Sequence, residues 1–111
     1  MTPAQARQSL ARMLDAHGET VTLKRGAASY CVRARIMGAS PSDVTGSVQQ
    51  LGRKAIVSAE DVEAIEFPTP FRPKQDRLVW NGKTLVISAV DDATRRIQGE
   101  LVAYELELSG A

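Results

Sequence analysis

The stretch DRLVWNGKTLVISAV, residues 76–90, decides the fold. Two apolar runs, RLVW and KTLVISAV, flank Asn81-Gly82. Asn-Gly is the preferred pair for a two-residue type I′ turn, because both positions need positive φ and the turn's twist matches the strands it joins. The stretch predicts an antiparallel hairpin with Val79, Leu85 and Ile87 turned toward a core. On its C-terminal side, Asp91, Asp92 and Ala93 start another turn. A last strand over residues 100–108 then places Val102, Tyr104, Leu106 and Leu108 on one face and Glu105 and Glu107 on the other.

On the N-terminal side of the hairpin, FPTPFRP (residues 67–73) carries three prolines, which hold the chain extended and remove hydrogen-bond donors. Before it, RKAIVS (53–58) reads as a strand, and Ser58 caps a short helical turn over 59–65 with Asp61 at capping-box reach. GASPSDVTGSVQQLG (38–52) breaks every period and predicts a long loop, a feature that in compact domains is usually functional or disordered. Val44, Val48 and Leu51 leave room for a short helix within it.

Further toward the N-terminus the period is two. Val21 and Leu23 alternate with Thr20, Thr22 and Lys24; after a link at 26–28, Tyr30, Val32, Ala34 and Ile36 alternate with Cys31, Arg33 and Arg35. Cys31, in this strand, is expected to be a small core residue rather than a reactive thiol. The first segment, from Thr2 to His17, predicts a helix: Thr2 as N-cap, Pro3 at the first helical position, Gln5 completing a capping box. Ala6, Leu10, Met13 and Leu14 form a narrow apolar stripe suited to docking on a sheet or a neighbouring subunit. Gly18 is expected to end the helix in the left-handed conformation.

The reading is thus one mainly β domain over residues 1–111: an N-terminal helix (1–18) and a β-domain (19–108), a small antiparallel barrel or sandwich of about six strands with one long loop. At 111 residues the core is modest. Hydrophobic residues make up 43% and charged residues 24%, values that fit a globular chain. A net charge of +1 is too balanced for a protein that neutralises phosphates over its whole surface. The apolar runs fall far short of the roughly 20 residues of a membrane helix. With no apolar N-terminal core of the kind a signal peptide carries, the chain is expected to be made in the cytoplasm.

The search for chemistry is mostly negative. His17 is the only histidine, and its place at a helix C-terminus is explained by the helix dipole. Ser40 and Ser58 lack a GxSxG context, and His17 is the only histidine that could serve as their base. Glu60/Asp61 and Asp91/Asp92 are adjacent pairs of the kind that cap turns. GSVQQLGRK (46–54) has five residues between its glycines where a phosphate-binding loop has four. Five aromatics are too few for a base-stacking face, and Tyr30, Trp80 and Tyr104 suit the core. No catalytic, cofactor-binding or metal-binding residue is expected, and the chain is not expected to be an enzyme.

The order of elements, with the run DRLVWNGKTLVISAVDDATRRIQGELVAYELEL, resembles the small head–tail joining proteins of tailed bacteriophages, also called head-completion or stopper proteins, which occur in gene transfer agents too. The resemblance spans roughly Glu19 to Leu108 and is closest at 52–58, 76–92 and 99–106. It rests on folding signals rather than on a chemical motif, and related tail-terminator and adaptor subunits share size and composition.

The resemblance implies a structural subunit of the virion neck, arranged as a six-fold ring. A portal or adaptor protein would lie above it and a tail-terminator or tail-tube protein below, with no membrane involved. In such rings a long loop can project into the channel and contact the packaged DNA. The matching segment here is 38–52, with Asp43, Val44, Val48, Gln49 and Gln50 as channel-loop candidates. A ring subunit presents two different patches to its neighbours. The candidates are the N-terminal helix, through Leu10 and Met13, and the proline segment, through Phe67, Phe71 and Arg72. The alternative reading from the residues is a nucleic-acid-binding barrel of the OB type.

Overall fold

The Asn81-Gly82 turn forms and sets the register around it. Asn81 has φ 52° and Gly82 φ 78°, the paired positive values of a type I′ turn. Trp80 then pairs with Lys83, Val79 with Thr84 and Leu78 with Leu85. Directly opposed residues share a face, so the inward Leu85 brings Leu78 inside with it. Leu78 is fully buried, while Val79 lies half-buried beside Thr84. The expectation that Val79 joins the core is corrected: a two-residue turn cannot place Val79 and Leu85 on the same face.

A computed structural model describes residues 2–38, 53–68, 70–93 and 95–109. In chain order the elements are α1 (Pro3–His17), β1 (Glu19–Arg25), β2 (Ala28–Gly38), β3 (Arg53–Ser58), α2 (Ala59–Ala64), β4 (Arg77–Trp80), β5 (Lys83–Asp91), β6 (Arg96–Ile97), β7 (Glu100–Leu101) and β8 (Ala103–Ser109). Six strands close a barrel in the order β1-β2-β3-β8-β5-β4, with every neighbouring pair antiparallel. Closure leaves the barrel itself without an open edge; the two-stranded β6–β7 sheet stands outside it. The core fills the barrel with one inward residue in two from each strand, among them Val21, Leu23, Val57, Ile87 and Leu106. The last strand is interrupted where a continuous run was expected. Residues 96–101 form the separate β6–β7 hairpin, turned by Gln98 and Gly99 at φ 52° and 82°. Val102 links it to β8; its amide donates to the Arg95 carbonyl and its own carbonyl accepts from Ala59.

Helix α1 starts as the capping pattern predicts: the Gln5 amide donates to Thr2 Oγ1, and the Thr2 amide donates to Gln5 Oε1. Its end differs. Gly18 is extended at φ −83°, not left-handed, and its amide donates to the Leu14 carbonyl at 2.8 Å. Glycine is needed here for closeness, since a Cβ would sit 2.5 Å from the Leu14 oxygen. The helix lies on the outer wall against β2, β3 and β6, burying Ala6 and Leu14. Ile56 and Ala103, on the outward side of their strands, are buried there too.

Cys31 is exposed, which corrects its expected core role; it alternates with the inward Val32 and faces out with Arg33 and Arg35. No helix among the described residues is long and apolar enough to cross a membrane.

Candidate assembly surfaces

The barrel has two mouths built from different chemistry. At the mouth where β1 and β3 end, α2 and the proline segment fold across the opening. Ser58 caps α2 by accepting from the Asp61 amide, and Val62 drops into the core. Phe67 and Phe71 follow it inward, only 4% and 5% exposed. They stack at 4.8 Å between centroids, with Tyr30 edge-on to Phe67 and Tyr104 edge-on to Phe71, each at 5.0 Å. Phe67 and Phe71, whose flanking prolines left core and interface both open and which were named as interface candidates, are corrected to core. The two rings, four positions apart in the chain, fill this opening together with Val62.

Asp76 is fully buried at the same mouth. Arg25 donates to both its oxygens, Nε to Oδ1 and Nη2 to Oδ2, each at 2.8 Å. The Arg72 amide adds a third bond to Oδ2 at 2.6 Å, and Arg25 Nη2 also reaches the Pro70 carbonyl at 3.0 Å. Burial by itself would raise the Asp76 pKa. The hydrogen bonds from Arg25 and the Arg72 amide, with the charges of both arginines, outweigh it and hold the carboxyl below the ordinary aspartate value. The same hydrogen bond to Asp76 raises the Arg25 pKa. Arg25 also lies over the Phe67 ring at 4.9 Å. These contacts fasten the proline segment to β1 and β4. Burial also raises the Tyr104 phenol, with the carboxylates of Asp92 and Glu63 adding to it.

The opposite mouth, where β3 begins and β4 ends, is lighter. Arg53 lies over the half-buried Trp80 ring at 4.8 Å, and Trp80 Nε1 donates to Glu19.

On the outer wall Arg33 joins both helices to β2. It donates to Asp61 of α2 at 3.0 and 3.2 Å and to Asp15 of α1. Burial would lower its pKa, but the bonds and charges of the two aspartates raise it.

Leu10 and Met13, expected at an interface, are half-buried. They line a groove of about 360 Å³ between α1 and the β6–β7 hairpin, faced by Arg95, Ile97 and Ala103. Arg7 spans the same gap to Glu100 at 3.4 Å. Arg72, the fifth interface candidate, is exposed beside the aromatic mouth. The channel-loop candidates Asp43, Val44, Val48, Gln49 and Gln50 lie outside the described residues. Among the described residues no three or more His, Cys, Asp and Glu side chains converge to hold a metal ion.

No family model, curated protein or solved structure matches this chain.

Sequence reasoning missed the Arg25–Asp76 clamp, whose partners are 51 positions apart. One signal pointed to it: an aspartate directly before a strand, in a segment where two prolines and a turn leave amides in need of an acceptor.

Proposed function

We propose that the chain is a ring-forming structural subunit of a bacteriophage neck, joining head to tail by surface complementarity. The observation that carries this reading is the order of elements. A helix on the outer wall, three strands, a short capping helix, the Asn-Gly hairpin and a closing strand make one six-strand barrel, as the resemblance implies. The aromatics do not favour the OB alternative. Four of the five pack into one mouth and the fifth stacks on Arg53, leaving no row of exposed rings on the wall for bases. The test is genetic. In the phage that encodes the chain, removing its gene should give DNA-filled heads and free tails that do not join, with joining restored by the protein supplied in trans. Normal infectious particles without the gene would overturn the reading.

A further inference from the structure

Among the described residues the β6–β7 hairpin is the only sheet outside the barrel. Its turn makes Ile97 and Glu100 direct partners, and the Val102 amide ties its base to the Arg95 carbonyl. Side chains alternate along an extended chain, so Arg95 and Ile97 share a face. That face meets α1 across the groove of about 360 Å³.

The groove is apolar on both walls. Leu10 and Met13 line it from α1 and Ile97 from the hairpin, and each is only half-buried. Covering them is favourable in proportion to the apolar area removed from water. The charge at the groove is positive. Arg95 is the one charged residue in its lining. Its Nε and Nη2 both donate to Oε1 of Glu105, at 3.1 and 2.9 Å, out of the five N–H donors of a guanidinium. Arg7, next to Ala6 on α1, pairs with Glu100 through Nη2. Its Nε is buried without a hydrogen-bond partner, the only such side-chain atom among the described residues. Folded proteins rarely leave a buried donor unpaired. Glu100 and Glu105 already have their arginines, so a further acceptor for this pair of guanidiniums comes from outside the chain.

We infer that the groove between α1 and the β6–β7 hairpin docks a short aliphatic segment of another polypeptide that carries a carboxylate. The aliphatic side chains lie against Leu10, Met13 and Ile97, and the carboxylate meets Arg95. A polypeptide fits better than a free aliphatic acid. Ser9 and Arg95 are exposed, so the groove is open along one side and leaves a small ligand largely in water. A segment that belongs to a folded partner is held by the rest of that partner as well. Nucleic acid fits worse, because an aliphatic cleft with one lining arginine offers little to phosphates or to stacked bases. The hairpin has room to adjust to its occupant. It pairs with no barrel strand, and the solvent-exposed Arg7–Glu100 pair holds it only weakly. The inference stands apart from the neck reading and does not need it.

The test is selection from a random peptide library on the full chain, counter-selected on Met13→Glu, which sets a carboxylate of the chain's own against the groove. Selected peptides should share aliphatic residues beside an aspartate or glutamate. They should shift the amide resonances of α1 and the β6–β7 hairpin. Replacing the peptide's carboxylate by its amide should weaken binding about tenfold. On Arg95→Gln the two peptides should bind alike, which a merely structural role for Arg95 would not produce. Thermal midpoints check that both variants fold, and Leu10→Asn replaces Met13→Glu if it does not. No peptide enriched over the counter-selection, or peptides sharing no carboxylate, would overturn the inference. So would octanoate or a short DNA duplex that shifts the same resonances as tightly as the peptides do. Wild type that dimerises in sedimentation while Met13→Glu does not would overturn it too, since the occupant would then be a second copy.

Discussion

The two mouths of the barrel are closed by the same kinds of group, an arginine, a carboxylate and aromatic rings, and the results differ. At one, Arg25, Asp76, Phe67 and Phe71 are interlocked, with the aspartate fully buried and bonded three times. At the other, Arg53, Glu19 and Trp80 touch in the same combination, with the ring half-buried and Glu19 exposed. Burial makes the difference. A charge removed from water needs every partner it can get, and losing one leaves an unpaired buried ion. A charge left in water replaces a lost partner with solvent, so its contacts add little. The first mouth holds the fold together; the second is free to change.

The largest expected effect is at the aromatic mouth. Phe71→Ala should lower stability by about 3–5 kcal/mol, measured by denaturant midpoint, because it empties the centre of the ring stack. Phe71→Asp should prevent folding rather than merely block assembly. Leu106→Ala, in the middle of the barrel, should cost about 2–5 kcal/mol by the same mechanism. If Phe71→Ala leaves the midpoint in place, the mouth is not part of the core and the contrast drawn above is wrong.

Arg25→Ala should come next, at about 3 kcal/mol, since it leaves Asp76 buried without its main partner. The pair also gives stability a pH dependence with a definite sign. The folded pKa of Asp76 lies below its unfolded value of about 3.9. Its contribution is therefore complete above that value, and it is lost as pH falls from about 5 through the folded pKa. Chemical denaturation from pH 7 to pH 2 should show wild type weakening in this acid range. Asp76→Asn should be weaker at neutral pH and flatter on acidification. A parallel loss in both proteins would mean that Asp76 is not the group being titrated.

How much of this was legible in the sequence depends on how local each signal is. The Asn81-Gly82 turn, the Thr2–Gln5 capping box and the Ser58 cap are set within a few residues, and each appears in the structure as read. Five of the six barrel strands follow from period-two patterning; Arg53–Ser58, buried without a break from Ala55 to Ser58, reads as a strand without it. Val79 was misplaced although the turn itself was right, because the pairing of 78 with 85 follows only when register is counted across the loop. Cys31 was misplaced because residue type was given more weight than its alternation with Val32. Phe67 and Phe71 offered no period at all. Flanking prolines fit an exposed stiff segment and a barrel plug equally well, and only closure of the barrel shows that an opening needs filling. The Arg25–Asp76 clamp and the Arg33 bridge between α1 and α2 join residues far apart in the chain, so no pattern along it reveals them.

The smallest expected effect tests the contrast most sharply. Arg53→Gln removes the cation from the Trp80 face while keeping a polar side chain at the rim. A partly solvated cation–π contact contributes about 0.5–1 kcal/mol, and the variant should lose no more than that. Stability alone cannot separate this contact from general packing, so a double-mutant cycle with Trp80→Leu is the better measurement. The coupling energy between Arg53 and Trp80 should fall in the same range and shrink in high salt, because solvent reaches both partners. The matching cycle between Arg25 and Phe67 should give a larger coupling that salt hardly changes, since Phe67 is buried and Arg25 is held by Asp76. A coupling at Arg53 equal to that at Arg25, and equally insensitive to salt, would show that both mouths are locked alike and that burial is not what distinguishes them.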